Sequence, residues 1–135
     1  MARLRVVAVA ARLPAWAEAA CSDYERRMPR GYELDRVLVK TAERIRPAIP
    51  WNFKLAVLDE RGREYTTKQF APLLNAETAF VIGGADGLPE ALKKDAHLLL
   101  RLSSLTLAHA LAQVVLVEQL YRAATLLVGH PYHRE

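Results

Sequence analysis

Short apolar runs and helix-like spacings take turns along the chain. Leu4 to Ala10 is a β-branched apolar run, too short for a stable helix and typical of a buried strand. Pro14 opens a helical segment to about Arg27, with Trp16, Ala20 and Tyr24 along one face, and Pro29 and Gly31 stop it. Tyr32 to Val39 reads as a second strand, whereas Pro47 and Pro50 forbid a long helix over residues 41–52. Phe53 to Asp59 is a third strand, ended by the turn-like Glu60-Arg61-Gly62. Thr66 or Thr67 caps a short helix through Leu74, whose second half Pro72 disturbs. Thr78 to Ile82 is a fourth strand that runs straight into Gly83-Gly84. A helix from Leu88 to about His97, a fifth strand over Leu98 to Leu102 and a loop over Ser103 to Thr106 follow. The longest periodic segment runs from Ala108 to Val128, with Gly129 placed to end it. Leu111, Val114, Val115, Leu120, Tyr121 and Leu126 leave little of that helix polar. It must bury more than one face, inside the monomer or against a second copy.

Strand and helix alternate from start to end, which predicts a single α/β domain over residues 1–135 with a sheet covered on both sides. Ligands on such sheets bind beyond the carboxyl ends of the strands, here Leu58-Asp59, Ile82-Gly83-Gly84 and Leu102-Ser103. Composition narrows the class: 52% apolar and 25% charged residues exclude a disordered tail, a collagen-like chain and a disulfide miniprotein. One cysteine, Cys21, forms no disulfide within the chain and is expected to pack as a small hydrophobe, which favours a cytoplasmic protein. Arg3, Arg5 and Arg12 do not fit a signal peptide, and no uninterrupted apolar run predicts a membrane partner. Residues 1–54 hold eleven basic and six acidic groups, a net +5, and the remainder holds eight and nine, a net −1. A basic half merely permits a phosphate backbone as partner, and on charge alone a solvated arginine-rich surface is the ordinary explanation.

Three segments offer chemistry. Gly83-Gly84-Ala85-Asp86-Gly87 lets the backbone approach a ligand closely, yet it lacks the lysine and serine of a triphosphate loop. Ser103-Ser104-Leu105-Thr106-Leu107 presents backbone groups and an apolar slot suited to a heterocycle, or simply caps the next helix. His130-Pro131-Tyr132-His133-Arg134 offers proton transfer, stacking and phosphate contact, or is a polar chain end. His97 and His109 stand at helix ends, where capping or exposure is the ordinary role, and no His, Cys and carboxylate spacing resembles a metal site. Trp16 and Trp51 are expected in the core or an interface rather than as stacking platforms.

Together these pieces resemble the ribosomal RNA large subunit methyltransferase H family of small SPOUT methyltransferases. The resemblance runs nearly end to end. It covers Val6 to Val9, Leu58 to Gly62, Ile82 to Leu88, Leu105 to His109, Glu118-Gln119-Leu120-Tyr121-Arg122-Ala123 and His130 to Arg134. It implies an α/β fold with a SPOUT-type parallel sheet flanked by helices and a C-terminal deep trefoil knot, an obligate homodimer and S-adenosyl-L-methionine as cofactor. Leu58, Gly83, Leu102, Ser103, Ser104, Leu105, Thr106 and Leu107 are the positions implied to bind it. The implied substrate is N3 of a pseudouridine in 23S rRNA of the assembled ribosome. Asp86 and His133 are then the candidate bases, and Tyr132, Arg134 and His109 meet the RNA, the tail reaching in from the partner subunit. Relatives usually carry proline at Ala108, often proline or glutamine at Ala110, and arginine at Gln113, and they are longer between Val39 and Trp51. Those departures motivate an alternative, a catalytically impaired knotted dimer that binds RNA or the ribosome. A generic nucleotide binder leaves the terminus unexplained.

Overall fold

Alternation within the strands sorts apolar side chains onto two faces. In β1 (Ala2–Val9), Leu4, Val6 and Ala8 join one core cluster and Val7 the other. In β4 (Thr78–Ile82), Phe80 and Ile82 divide in the same way from Ala79 and Val81. With β2 (Tyr32–Val39), β3 (Lys54–Glu64) and β5 (Leu98–Arg101) they form one wholly parallel sheet, ordered β2-β1-β4-β3-β5. This computed structural model describes residues 2–134, and side chains as far as Tyr132. All five β4 residues are buried, as a central parallel strand requires.

The first face is covered by α1 (Ala15–Arg26), the short α2 (Thr67–Phe70) and α4 (His109–Val128). The second is covered by 3-10 turns at Ala42–Arg44 and Arg46–Ala48 and by α3 (Glu90–Asp95), through Ile45, Ile49 and Leu92. Pro47 accounts for turns where a longer helix does not form. Thr66 caps α2 in a reciprocal box with Gln69, and Pro72 turns the rest into a 3-10 segment, Ala71–Asn75. Gly129 adopts φ +77° and closes α4 in a Schellman motif, its N–H reaching Leu126 O while the His130 N–H reaches Thr125 O. By length and composition alone α4 suffices to cross a membrane. Here Leu116, Val117, Leu120, Ala123 and Ala124 are spent on the sheet, and Leu111 and Val128 stay exposed.

Three expectations need correction. Glu60-Arg61-Gly62 does not end the third strand: β3 continues to Glu64, and both Leu58 and Arg63 pair with Leu100 around a bulge. A Cβ on Gly62 would lie 2.7 Å from the Leu100 nitrogen and 2.7 Å from the Leu99 carbonyl carbon, so only glycine lets β5 pass this close. Trp16 is 56% and Trp51 95% exposed, so of their two expected places the core is excluded and an interface remains. The loop Ser103 to Thr106 does not cap α4 either, because Ala108 occupies the cap position without a side-chain bond. Cys21 is buried, as expected. Much of the basic half is neutralised internally, by Arg5–Asp35, Arg3–Glu77, Arg36–Glu18 and Arg27–Asp23 pairs.

His97 extends the sheet with its ring. The Leu55 N–H donates to His97 Nδ1 at 2.9 Å, while the His97 N–H donates to Leu55 O at 2.8 Å. His97→Ala leaves the Leu55 amide without that acceptor and should cost about 1 kcal/mol, read as a lower urea midpoint at unchanged slope.

Candidate functional site

The carboxyl ends of β4 and β5 flank β3, and the loops that leave them, together with Leu58 to Arg61 of β3, line a cavity of about 660 Å³. That volume suits a mid-sized cofactor. Leu58, Gly83 and every residue from Leu102 to Leu107 line it, so all eight positions expected to bind cofactor converge on one space. Gly83 sits tight: a Cβ there would meet Leu88 Cγ at 2.7 Å and the Gly87 carbonyl carbon at 3.2 Å. The loop after β5 is pinned from three directions. Arg101 Nε donates to Ser103 O (3.1 Å), Ser104 Oγ to Glu64 Oε1 (2.8 Å), and the Leu105 N–H to Ser103 Oγ (2.9 Å). Its serines therefore shape the loop and leave other backbone groups to a ligand.

The wall opposite that loop carries charge. Asp59, Glu60 and Arg61 leave along β3, and Lys93 comes from α3. Asp59 Oδ1 accepts the Arg61 N–H at 3.0 Å, and Lys93 Nζ lies 3.1 Å from Asp59 Oδ2. The Arg61 amide, assisted by Lys93 and opposed by burial, holds the Asp59 carboxyl below its ordinary range. A depressed folded value means that the contribution is whole above the unfolded pKa, about 4, and is lost as pH falls through the folded one. Asp59→Asn should therefore flatten the loss of stability on acidification below about pH 4, followed by thermal melts at successive pH values.

Other expected residues stand apart from the cavity. Asp86 is exposed at the tip of a tight turn in which the Gly87 N–H donates to Gly84 O and Gly87 takes φ +72°, and it does not line the cavity. His109 opens α4, and its Nε2 lies 3.0 Å from the side-chain amide nitrogen of the fully buried Gln113. Tyr132, in the final 3-10 turn Pro131–Arg134, folds back on α4 and α1. Its hydroxyl donates to Glu118 Oε2 at 2.9 Å and lies 3.3 Å from the Tyr24 hydroxyl, and its ring meets Tyr121 edge-on at 4.5 Å. Burial, then the Tyr24 and Glu118 contacts, push its phenol well above the ordinary value, so it remains a donor. The side chains of His133 and Arg134 lie outside the described residues. Asp59, Glu60, Arg61 and Lys93 were not among the expected site residues. The first three follow the apolar run that the sequence reads as the third strand, a signal the chain does carry, and lie within β3 itself, whereas Lys93 reaches the cavity only through helix packing.

A family model described as a predicted SPOUT methyltransferase matches residues 2–133. The ribosomal RNA large subunit methyltransferase H of Polynucleobacter asymbioticus is 46% identical over 146 aligned positions, covering 98% of this chain and 99% of that protein. Its namesake from Variovorax paradoxus is 47% identical over 154 positions with the same coverage, and that from Burkholderia mallei 43% over 154. Alignments longer than a 135-residue chain mean that these relatives carry residues with no counterpart here. Among solved structures, a probable methylase family protein from Haemophilus influenzae superposes with a TM-score of 0.59 at 12% identity, covering 97% of this chain and 69% of that one. The SpoU methyltransferase AviRb from Streptomyces viridochromogenes, solved with AdoMet, gives a TM-score of 0.50 at 15% identity, covering 96% and 61%. At such identities the structures speak for the fold alone. Near-complete sequence matches and a parallel sheet whose strand ends open on one cavity agree: the chain belongs to the SPOUT methyltransferases, within the ribosomal RNA large subunit methyltransferase H family.

Proposed function

We propose that this protein is an S-adenosylmethionine-dependent methyltransferase acting at N3 of a pseudouridine in 23S rRNA of the assembled ribosome, as a cytoplasmic homodimer. The observation that carries it is the convergence of Leu58, Gly83 and Leu102–Leu107 on one 660 Å³ cavity. Its relatives' names supply the rRNA substrate. The residues fit the cofactor: Gly83 keeps one wall clear of side chain, and the loop from Leu102 to Leu107 offers backbone donors and acceptors to an adenine edge beside leucine surface. S-Adenosylmethionine supplies a methyl group on a sulfonium, an excellent leaving group, so the protein's task is alignment and removal of the N3 proton. Asp86 and His133 are the bases assigned to that proton, and His109, Tyr132 and Arg134 the groups that meet the RNA. Tyr132 is tied to its own α4, so the tail it anchors serves the cavity of the partner subunit in this scheme. The C-terminal part of the sheet is threaded as a deep trefoil knot, and the exposed Leu111 and Val128 of α4 belong to the dimer seam.

Ribosomes from cells lacking the protein should miss one N3-methylated pseudouridine in 23S rRNA, restored when the protein is returned, with mass spectrometry of the digested RNA as readout. An unchanged modification pattern together with no S-adenosylmethionine binding by calorimetry would replace this reading with the alternative of an RNA-binding scaffold.

A further inference from the structure

None of the eight residues expected to bind cofactor carries a charge. The amino-acid end of S-adenosylmethionine carries two, and a carboxylate brought into a cavity needs a charged or strong donor. We propose that Lys93 binds the α-carboxylate of the cofactor and that Asp59 is the positioning residue that aims it; this rests on the cofactor reading above.

The geometry at Lys93 supports the assignment. Its ammonium has three N–H donors. It forms ion pairs with Asp59 Oδ2 at 3.1 Å and Glu90 Oε1 at 3.7 Å, the second beyond hydrogen-bonding distance, so donor capacity remains at the cavity wall. Asp59 is itself held by the Arg61 N–H, and its side chain is 5% exposed, so the anchor does not move. Three cations line the cavity, and Arg101 is committed to Ser103 O at 3.1 Å and Glu64 Oε1 at 3.5 Å; exposure separates the other two. The Lys93 side chain is 18% exposed and that of Arg61 68%, and a carboxylate paired with Arg61 would be largely screened by water. Pairing with Asp59 also cancels the lysine's net charge, so the wall presents a donor without repelling a sulfonium.

Calorimetry with S-adenosylhomocysteine, its carboxyl methyl ester and 5′-methylthioadenosine, which lacks the amino-acid end, tests this on the full-length protein. Lys93→Met keeps the length of the side chain and removes the donor. It should weaken S-adenosylhomocysteine by about 10- to 100-fold, the range of one charge-assisted hydrogen bond, and leave methylthioadenosine within about twofold. Lys93→Arg should recover part of the loss. The ester should bind the unaltered protein about as weakly as S-adenosylhomocysteine binds K93M. Equal weakening of both ligands by K93M, or of neither, overturns the proposal, and the second result leaves Lys93 to an RNA phosphate. The ester arm needs no folded variant: an ester that binds the unaltered protein as tightly as the parent acid overturns it too. If the unaltered protein binds none of the three ligands, the cofactor reading itself fails; binding that ignores Lys93 fails only this inference.

Discussion

Gly62→Val is expected to lower the thermal midpoint by roughly 10 °C and to abolish cofactor binding. The obstacle is main chain, with the Leu100 nitrogen and carbonyl carbon at 2.7 and 2.8 Å and the Leu99 carbonyl carbon at 2.7 Å from an added Cβ. No rotamer change relieves a clash with backbone, so β5 must separate from β3 at the bulge. Overpacking of this kind costs about 3 kcal/mol, which in a domain of this size is a shift of roughly that many degrees. The separation falls at the Leu100 register point, immediately before the loop that supplies six cavity residues, Leu102 to Leu107. Stability and binding should therefore fall together. Gly83→Ala provides the contrast, because its nearest obstacle is the flexible Leu88 side chain. It should lose binding with a smaller change in midpoint. Calorimetric melts and titration with S-adenosylhomocysteine check both variants.

Glu118→Ala should cost about 3 kcal/mol and release the chain end. One carboxylate joins three donors: Oε2 accepts from Arg122 at 2.8 Å and from Tyr132 at 2.9 Å, and Oε1 accepts from Gln119 at 2.8 Å. Removing the shared acceptor strands partly buried donors, and bonds to a charged group are individually worth about 1.5–3 kcal/mol without adding fully. Gln119 also accepts from Thr67 at 2.8 Å, so the loss extends to the start of α2. Tyr132→Phe deletes one hydroxyl and keeps the ring against Tyr121, for about 1 kcal/mol. Urea unfolding should rank the two, and carboxypeptidase should shorten the Glu118→Ala protein fastest. Equal digestion of all three proteins would mean that Tyr132 does not hold the tail.

The site was legible wherever its cause was local. Gly83-Gly84 after an apolar strand marked a close backbone approach, and the cavity lies there. Gly129 marked the end of α4 and adopts the left-handed conformation that such an end requires. Charged Lys93 escaped notice because nothing within its own helix points to a ligand; its meaning comes from Asp59, 34 positions earlier, across the β3–α3 packing. Tyr132 reads in the sequence as a group that meets RNA, and only the fold shows its hydroxyl held by Glu118 and Tyr24.

By itself the sequence determined most of the elements, the α/β class and the loops after β4 and β5 that face the cavity. Periodicity, capping and turn chemistry act over a few residues and are written in adjacent letters. Only the tertiary structure decided that β3 runs on past Gly62 against β5, which strands neighbour each other, that Lys93 meets Asp59, and that the chain end folds back on α4. Each of these is a contact between segments far apart in the chain. Its energy depends on how both sides pack, which no local pattern records.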